Sequence, residues 1–296
     1  MCKLLKSILF NTTILLILFT ELNCTRNFDA TIPSYVEIQN FDYYGNSPGS
    51  TPFPNNYQSI NITDAWVTMD GQALGVFQIP CTIPILNSGL HSFTIYPGIK
   101  VNGIAGNRIK YPFYKSYEID TIISLDQTIE LQPTTSYKDQ VIFDFESEGQ
   151  FELAGNGTIL EATNISDTVA IIQDQTVFQG TKSAAIYLDS TNSYFDIRNI
   201  EPLELNFNTF LEMNFKSNIN FNVGLIIINE SDLEVKKELI QLYPTEEWKK
   251  IYLDLAPLIS MGNMFSKFKI YFEGYYHNNE SNNAIYLDNL KLISTE

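Results

Sequence analysis

The sequence predicts an all-β protein built from two β-sandwich domains that follow a cleaved signal segment. Strand-like segments recur at turn-bounded intervals of about 8–12 residues, and patterns typical of helices are nearly absent. The composition agrees, because 17 tyrosines and 20 phenylalanines accompany many Ile, Thr and Asn residues. About 270 residues follow the signal. One sandwich needs about 100 residues, so we expect two domains.

The N-terminus predicts export. Two lysines, Lys3 and Lys6, precede a run from Ser7 to Thr20 that is apolar or hydroxyl-bearing apart from Asn11. An apolar stretch of about a dozen residues behind a basic start is typical of a signal peptide. It is shorter than the roughly 20 residues that a membrane span requires. We therefore assign residues 1–23 to a signal peptide.

The residues Glu21-Leu22-Asn23-Cys24 end this segment and resemble the end of a bacterial lipoprotein signal. The resemblance implies that Cys24 is acylated, that residues 24–34 form a lipid-anchor tether, and that the protein is held at the outer membrane or cell surface. Two alternatives stay open. An ordinary cleaved signal would leave a periplasmic or secreted protein, and a disulfide could join Cys24 to Cys81 in an oxidising compartment.

The charge balance restricts the partners of the protein. There are 34 acidic and 18 basic side chains, which gives a net charge of −16. Nucleic-acid binding requires a basic surface for the phosphates, so this class of function is excluded. The same charge disfavours an anionic lipid surface, and membrane attachment is therefore expected through acyl chains.

The first domain is expected over residues 35–136, ending at the break Gln132–Ser136. Its clearest hairpin joins Ala65–Met69 to Leu74–Phe77 through Asp70-Gly71, a dipeptide that tolerates the positive φ of a tight turn. Together with Gly89-Leu90-His91, this pattern resembles the small modules of bacterial envelope proteins of the PEGA type and other immunoglobulin-like repeats. The resemblance implies an immunoglobulin-like sandwich.

An aromatic cluster, Tyr111-Pro112-Phe113-Tyr114, stands late in this domain. Two interpretations stay open for it. It could form a ligand platform, or it could be the lid that closes one end of the sandwich.

The second domain is expected over residues 137–296. It opens with Val141–Glu146, contains Gly180-Thr181-Lys182-Ser183-Ala184 and Trp248–Leu255, and closes with Ala284–Ile293. This order of segments resembles jelly-roll domains of the galactose-binding-like or carbohydrate-binding-module type. Within it, we interpret Trp248 as a plug of the core or edge, on a strand that alternates with Ile251 and Leu253.

The jelly-roll resemblance also implies a structural calcium ion, the one cofactor that we consider. Glu146 and Asp288, with the carbonyl of Gly180 or Lys182, would supply the hard oxygen ligands that calcium takes. The alternative is that Asp288 and Asn289 form a turn or side-chain hydrogen bonds.

The functional prediction is recognition without catalysis. The chain has only two histidines, His91 and His277, and no nucleophile elbow, phosphate loop or metal-binding helix motif. Aromatic residues flanked by Asn or Asp suit the stacking of sugar rings, and the candidates are Tyr194, Phe195, Tyr275 and Tyr276. We predict a glycan-recognition module. The alternatives are an assembly subunit that binds envelope proteins and a polysaccharide-active enzyme.

Overall fold

The computed structural model describes residues 32–44, 59–144, 151, 159–278 and 282–295. The all-β prediction is confirmed, since the described part consists of strands in stacked sheets and one four-residue helix. None of its helices has the length and hydropathy that a membrane span requires. The predicted signal peptide, Cys24 and most of the tether lie outside the described residues.

The N-terminal sandwich stacks two sheets. Sheet A has the strand order β5-β1-β9, and sheet B has the order β4-β3-β6-β7 with β8 beside β6. A short ribbon pairs β2 with β10. The strands are β1 (Ser34–Ile38), β2 (Asp42–Tyr43), β3 (Asp64–Met69), β4 (Gln72–Gln78), β5 (Cys81–Ile85), β6 (Gly89–Lys100), β7 (Arg108–Lys110), β8 (Tyr117–Ile123), β9 (Thr128–Leu131) and β10 (Thr134–Thr135).

Alternating side chains build the core of this sandwich. Val36 and Ile38 point inward from sheet A and are fully buried together with Phe93 and Ile95 of sheet B. The hairpin predicted around Asp70-Gly71 is confirmed, because Met69 pairs with Gln72 across a two-residue turn. Both turn residues have positive φ values, 52° and 77°.

The C-terminal sandwich stacks a six-stranded sheet C on a five-stranded sheet D. Sheet C has the order β13-β14-β21-β16-β19 with β11 beside β21, and sheet D has the order β12-β15-β20-β17-β18. The elements are β11 (Val141–Asp144), β12 (Leu160–Ala162), β13 (Ile171–Gln173), β14 (Ser183–Leu188), β15 (Tyr194–Asn199), β16 (Phe210–Ser217), β17 (Phe221–Ile228), β18 (Glu234–Leu242), β19 (Lys249–Asp254), α1 (Ala256–Ile259), β20 (Lys267–Tyr275) and β21 (Asn283–Thr295).

The core of the C-terminal sandwich lies between sheets C and D. Leu211, Leu253 and Leu287 of sheet C and Leu225 and Phe272 of sheet D are all fully buried there. Because side chains alternate along each strand, every second residue points away from this core. The outer faces of sheets C and D therefore look in opposite directions.

The N-terminal sandwich covers one half of the outer face of sheet C. Tyr111, Phe113 and Tyr114 are buried against Phe210 and Tyr252 of sheet C. The ring centroids of Tyr111 and Tyr252 are 4.8 Å apart. The predicted aromatic cluster is therefore an interface between the sandwiches, and its interpretation as an open ligand platform is wrong because the rings have no free face.

Polar contacts fix the orientation of the two sandwiches. Asn102 of the N-terminal sandwich donates its backbone N–H to the carbonyl of Tyr252 at 2.8 Å, and its side-chain oxygen accepts the N–H of Asp254 at 2.9 Å. Asn61 donates from its side chain to the carbonyl of Lys250 at 3.0 Å. These bonds run in register with the edge of sheet C and hold the N-terminal sandwich against it.

Candidate functional site

The outer face of sheet D carries most of the charged groups that lie close to aromatic rings in the C-terminal sandwich. The strand register places Tyr194 beside Tyr275 and Asp196 beside Glu273 on β15 and β20. On β17 and β18, Gly224 and Lys236 face the same side. We call this the sheet D face.

A pair of tyrosines stands at one end of the sheet D face. The rings of Tyr194 and Tyr275 lie 4.7 Å apart between centroids, with 35° between their planes. Tyr275 is 64% exposed. The hydroxyl of Tyr194 donates to Glu273 at 3.2 Å. Burial, followed by the negative charges of Asp196 and Glu273, raises the pKa of Tyr194 well above its ordinary value, so this hydroxyl keeps its proton.

A third tyrosine lies flat on the centre of the face. Tyr271 is 1% exposed, and its ring occupies the space above Gly224. A Cβ atom on Gly224 would come within 2.6 Å of that ring, so only glycine permits this position. The ammonium of Lys236 covers the other side of the ring at 4.2 Å from its centroid.

Lys236 links the aromatic rings to two carboxylates. Its ammonium lies 2.8 Å from Asp196 Oδ1 and 2.5 Å from Glu273 Oε2. The side chains are 7% exposed for Asp196 and 20% exposed for Glu273. At this burial each charge depends on its partner, because an unpaired charge of low exposure is costly. The three side chains therefore form a fixed set of hydrogen-bonding groups beside Tyr194.

Further ion pairs extend the network across the face. Arg198 donates to Glu161 at 3.0 Å and to Glu234 at 2.7 Å. Lys269 donates to Glu161 at 3.1 Å. Burial raises the pKa of Glu161, but the hydrogen bonds from Lys269 and Arg198 outweigh this effect. The pKa of Glu161 therefore lies below its ordinary value. The face thus presents alternating donors and acceptors in fixed positions.

The structure brings together two of the four predicted ligand-binding residues. Tyr194 and Tyr275 face outward as neighbours, whereas Phe195 is fully buried in the core. Tyr276 is partly buried and packs against that core. The prediction for Phe195 is therefore wrong, because adjacent strand residues point to opposite faces of a sheet. Tyr276 follows the end of β20 and stays a prediction.

Asp288, predicted as a calcium ligand, accepts hydrogen bonds from backbone amides. Its Oδ2 accepts from Phe178 at 3.0 Å and from Gln179 at 3.1 Å, and its Oδ1 accepts from Asn289 at 2.8 Å. These donors satisfy a carboxylate, but they do not supply the oxygens that calcium needs. The predicted partner Glu146 lies outside the described residues, and no cluster of metal-ligating side chains occurs within them. Calcium stays a prediction.

Trp248 lies on the outer face of sheet C, not in the core. It is partly exposed, and its ring contacts Phe178 at 5.8 Å and Tyr286 at 6.4 Å between centroids. The interpretation as a plug of the core is wrong because of the strand period, whereas the interpretation as a plug of the edge stays open, since Trp248 directly precedes the edge strand β19. Ile251 and Leu253 point into the core. Trp248 stands three positions before Ile251, so the alternation of side chains along the strand turns it to the other face.

Sequence reasoning missed Glu273, Lys236 and Tyr271, whereas Asp196 is one of the acidic residues that flank the predicted aromatic pair. A signal for two of them exists in the segment Lys267–Tyr275, where Phe268, Ile270 and Phe272 form one apolar face. Tyr271 and Glu273 alternate with these residues and therefore share the opposite face. Nothing in the sequence places Lys236 beside them, because this contact depends on the pairing of β17 with β18 and β20.

The chain matches no protein-family model and no curated protein sequence. Among solved structures, the chain is similar to one from work on the promiscuous specificity of carbohydrate-binding modules from the β-sandwich superfamily. The two are 13% identical, the match covers 88% of this chain and 98% of that chain, and the TM-score is 0.40. A second is the family 30 carbohydrate-binding module of the cellulosomal cellulase Cel9D-Cel44B of Clostridium thermocellum, with 13% identity, coverages of 53% and 98%, and a TM-score of 0.37.

A third similar structure is an exo-β-agarase, with 13% identity, 50% of this chain and 24% of that chain covered, and a TM-score of 0.36. All three TM-scores are below 0.5. The functional proposal therefore rests on the contacts within this chain.

Proposed function

We propose that this chain is a non-catalytic glycan-recognition protein whose binding site is the sheet D face. The observation that carries the proposal is the pair of Tyr194 and Tyr275, with Tyr275 exposed beside the ion-paired side chains of Asp196, Glu273 and Lys236. A tyrosine ring offers an apolar surface for the C–H face of a sugar. The fixed donors and acceptors next to it suit the directional hydrogen bonds of sugar hydroxyls.

Preorganisation favours binding at this face. Lys236 is held by two carboxylates and by the ring of Tyr271, so its position is fixed before a ligand arrives. Groups that are already ordered lose little conformational entropy on binding. A weakly interacting ligand such as a neutral sugar chain benefits from this property.

The contacts of the carboxylates favour recognition over hydrolysis. Asp196 and Glu273 both accept hydrogen bonds from the ammonium of Lys236. A glycosidase requires one carboxylic acid that donates a proton to the leaving oxygen and a second carboxylate that acts as base or nucleophile. Two carboxylates held as acceptors by one lysine suit ligand binding instead.

The proposed location is the outer membrane or cell surface, through acylation of Cys24. The basic start, the short apolar run and the cysteine that follows it support this proposal. Firm attachment requires two or more acyl chains. Replacement of Cys24 by serine is expected to release the protein from the membrane fraction, and metabolic labelling with a fatty acid should then fail.

The glycan proposal is tested by affinity electrophoresis in gels that contain soluble xylan, galactan, β-glucan or alginate. We expect at least one polysaccharide to retard the protein. Tyr275→Ala should weaken binding about 30-fold, corresponding to about 2 kcal/mol for the loss of a central aromatic contact. Tyr44→Ala is the matched control, because Tyr44 is 80% exposed on the other sandwich. Equal retardation of both variants would contradict the proposal.

A second candidate function is that of an assembly subunit that binds an envelope protein. The observation that favours it is a cavity of about 790 Å³ lined by the exposed apolar side chains of Phe207, Met264 and Phe265. Met264 is 88% exposed. Large exposed apolar patches on soluble domains often mark interaction surfaces. Affinity capture with wild type and with Met264→Glu distinguishes the two functions, because only an assembly partner should be lost.

A further inference from the structure

The outer face of sheet C is only half covered. Phe210, Tyr252 and Ile293 lie under the N-terminal sandwich and are buried. Tyr187 and Tyr286 point outward from the same sheet on β14 and β21, and Tyr187 is 43% exposed. This second half is separate from the sheet D face, since the two outer faces of a sandwich look in opposite directions.

Four aromatic rings form a row across the free half. Consecutive centroids are 5.8 Å apart for Phe178 and Trp248, 6.4 Å for Trp248 and Tyr286, and 6.1 Å for Tyr286 and Tyr187. None of these rings belongs to the buried clusters of the core. Neighbouring apolar surface of this kind is unfavourable in water unless a ligand or partner covers it.

A groove of about 570 Å³ lies beside the row. Tyr187 and Tyr286 line it together with Lys216, Asn218 and Thr245. This volume is within the range of about 300–1,000 Å³ that is usual for small-ligand sites. Aromatic surface and polar groups therefore meet in one groove.

The polar groups of the groove are suited to hydroxyl groups. Lys216 makes no hydrogen bond or ion pair with the residues that the structure describes, and its ammonium can therefore donate to a ligand. The amide of Asn218 is fixed, because it accepts the N–H of Ala284 at 2.9 Å and donates to the carbonyl of Asn282 at 2.6 Å. Lys216 is the one cationic side chain among the described residues that line the groove, which does not suit a polyanion.

The far end of the row is anchored to the sheet. Asp288 accepts the backbone N–H groups of Phe178 and Gln179, and the amide of Asn289 donates to Gln179 Oε1 at 3.0 Å. The loop that carries Phe178 is thereby held against β21. The ring surface is ordered in advance, which lowers the entropic cost of binding.

We propose that this groove is a second saccharide-binding site, on the face opposite to the first. The sugar rings lie on Tyr286 and Trp248, and Lys216 donates a hydrogen bond to a hydroxyl or ring oxygen. The inference rests on the proposed function to the extent that both faces take the same class of ligand. Two sites on opposite faces make the protein bivalent, so one molecule joins two glycan chains and gains avidity on a dense glycan surface.

The test combines a count of sites with a measurement of crosslinking. The full chain is titrated with oligosaccharides of whichever polysaccharide retards it in gels, and polysaccharide-coated beads are mixed with it. Wild type should bind two oligosaccharides and agglutinate the beads. The double variants Trp248→Ala/Tyr286→Ala and Tyr194→Ala/Tyr275→Ala should each bind one oligosaccharide and lose agglutination. Tyr44→Ala, which removes an 80% exposed ring on the other sandwich, should behave as wild type.

A fluorescence readout reports on the second site directly. The chain has two tryptophans, Trp66 and Trp248, so Trp66→Phe leaves Trp248 as the only one. Saccharide binding should change the emission of Trp248. In Lys216→Met, the same change should require a saccharide concentration at least ten times higher. Trp248→Phe keeps a flat ring and should retain binding, which separates loss of contact from misfolding.

The outcomes separate the two proposals. One bound oligosaccharide in wild type, lost in the Tyr194/Tyr275 variant and kept in the Trp248/Tyr286 variant, would overturn the second site and leave the first intact. The reverse pattern would overturn the sheet D site alone. Failure of every polysaccharide to bind would overturn both.

Discussion

Tyr111 of the N-terminal sandwich donates a hydrogen bond of 2.6 Å to the carboxylate of Glu212 on sheet C. Tyr137 donates to the other oxygen at 2.8 Å, and the ammonium of Lys250 lies 2.5 Å from that oxygen. Glu212 is fully buried. A buried charge is stable only while its partners are in place. Lys250, on the same sheet as Glu212, supplies the opposite charge, and Tyr111 of the docked N-terminal sandwich supplies one of the hydrogen bonds that this buried carboxylate accepts.

Glu212→Ala should strongly destabilise the protein. The substitution leaves the ammonium of Lys250, 3% exposed, without its carboxylate, and it removes the acceptor for Tyr111 and Tyr137. Loss of one partner of a buried ion pair costs about 3–5 kcal/mol. Urea unfolding followed by circular dichroism measures the change as a lower midpoint.

Glu230→Ala is the control for this variant, since Glu230 is exposed in a turn after β17. Its free energy of unfolding should stay within about 0.5 kcal/mol of wild type, as is usual for surface substitutions. Similar midpoints for the two variants would mean that Glu212 does not hold the sandwiches together.

The protein should lose stability in alkali above about pH 10. Burial, followed by nearby negative charge and neighbouring tyrosines, raises the pKa values of Tyr111, Tyr114 and Tyr137 well above the ordinary value of 10.0. Below pH 10 these phenols are protonated in both the folded and the unfolded state. Above it the unfolded state releases protons that the folded state retains, so the free energy of unfolding falls as pH rises.

Unfolding at a series of alkaline pH values, with tyrosinate absorbance recorded in parallel, checks this expectation. The buried tyrosines should ionise only when the protein unfolds. Replacement of Tyr114 by Phe should reduce the slope of stability against pH. A flat profile up to pH 11 would contradict the burial of these phenols, since unfolded tyrosines titrate near pH 10.

The strand period explains which parts of the site could be predicted from the sequence. Tyr194 and Tyr275 could be selected as aromatic residues beside Asn and Asp, but the pattern alone did not say which residue of Tyr194-Phe195 points outward. That choice depends on the register, which pairs Phe195 with Gly274 on the core side. Knowledge of the neighbouring strand was needed to separate the two residues.

The interface between the sandwiches could not be predicted for a related reason. Phe210 and Tyr252 lie out of phase with their core-facing neighbours Leu211 and Leu253, so these strands are apolar on both faces. Such strands indicate that both faces are covered. The pattern does not say by which part of the chain, and the contact of Tyr111 with Glu212 spans 101 positions of sequence.

The calcium prediction leads to a thermal test. Calcium bound at Glu146 and Asp288 should raise the unfolding midpoint of wild type above its value in EDTA. At a calcium concentration 100 times the dissociation constant, the stabilisation is about 2.7 kcal/mol. Asp288→Asn should abolish the difference, and Asp189→Asn, at an exposed turn, should keep it. Equal unfolding midpoints in calcium and in EDTA would contradict the calcium prediction. The role of Asp288 would then be to accept the hydrogen bonds of the loop that carries Phe178.

Gly224→Ala should displace Tyr271 and thereby weaken glycan binding at the sheet D face. The new Cβ would overlap the backbone oxygen of Lys237 on the neighbouring strand β18, and it would lie 2.6 Å from Tyr271 Cε1 and 2.8 Å from the hydroxyl oxygen of Tyr271. The ring must move, and with it Lys236, which rests on the ring while it contacts Asp196. Overpacking of this kind costs about 1–3 kcal/mol of stability.

Gly106→Ala is the matched control, because nothing lies within 4 Å of the position of its Cβ. The two variants should be compared by unfolding and by affinity electrophoresis at a temperature where both are folded. If the sheet D face is the binding site, folded Gly224→Ala should still lose affinity for glycan. Tyr271 and Lys236 keep their positions only because Gly224 has no side chain. Full retention of affinity in folded Gly224→Ala would move the binding site away from Lys236, and the second groove on sheet C would then be the remaining candidate.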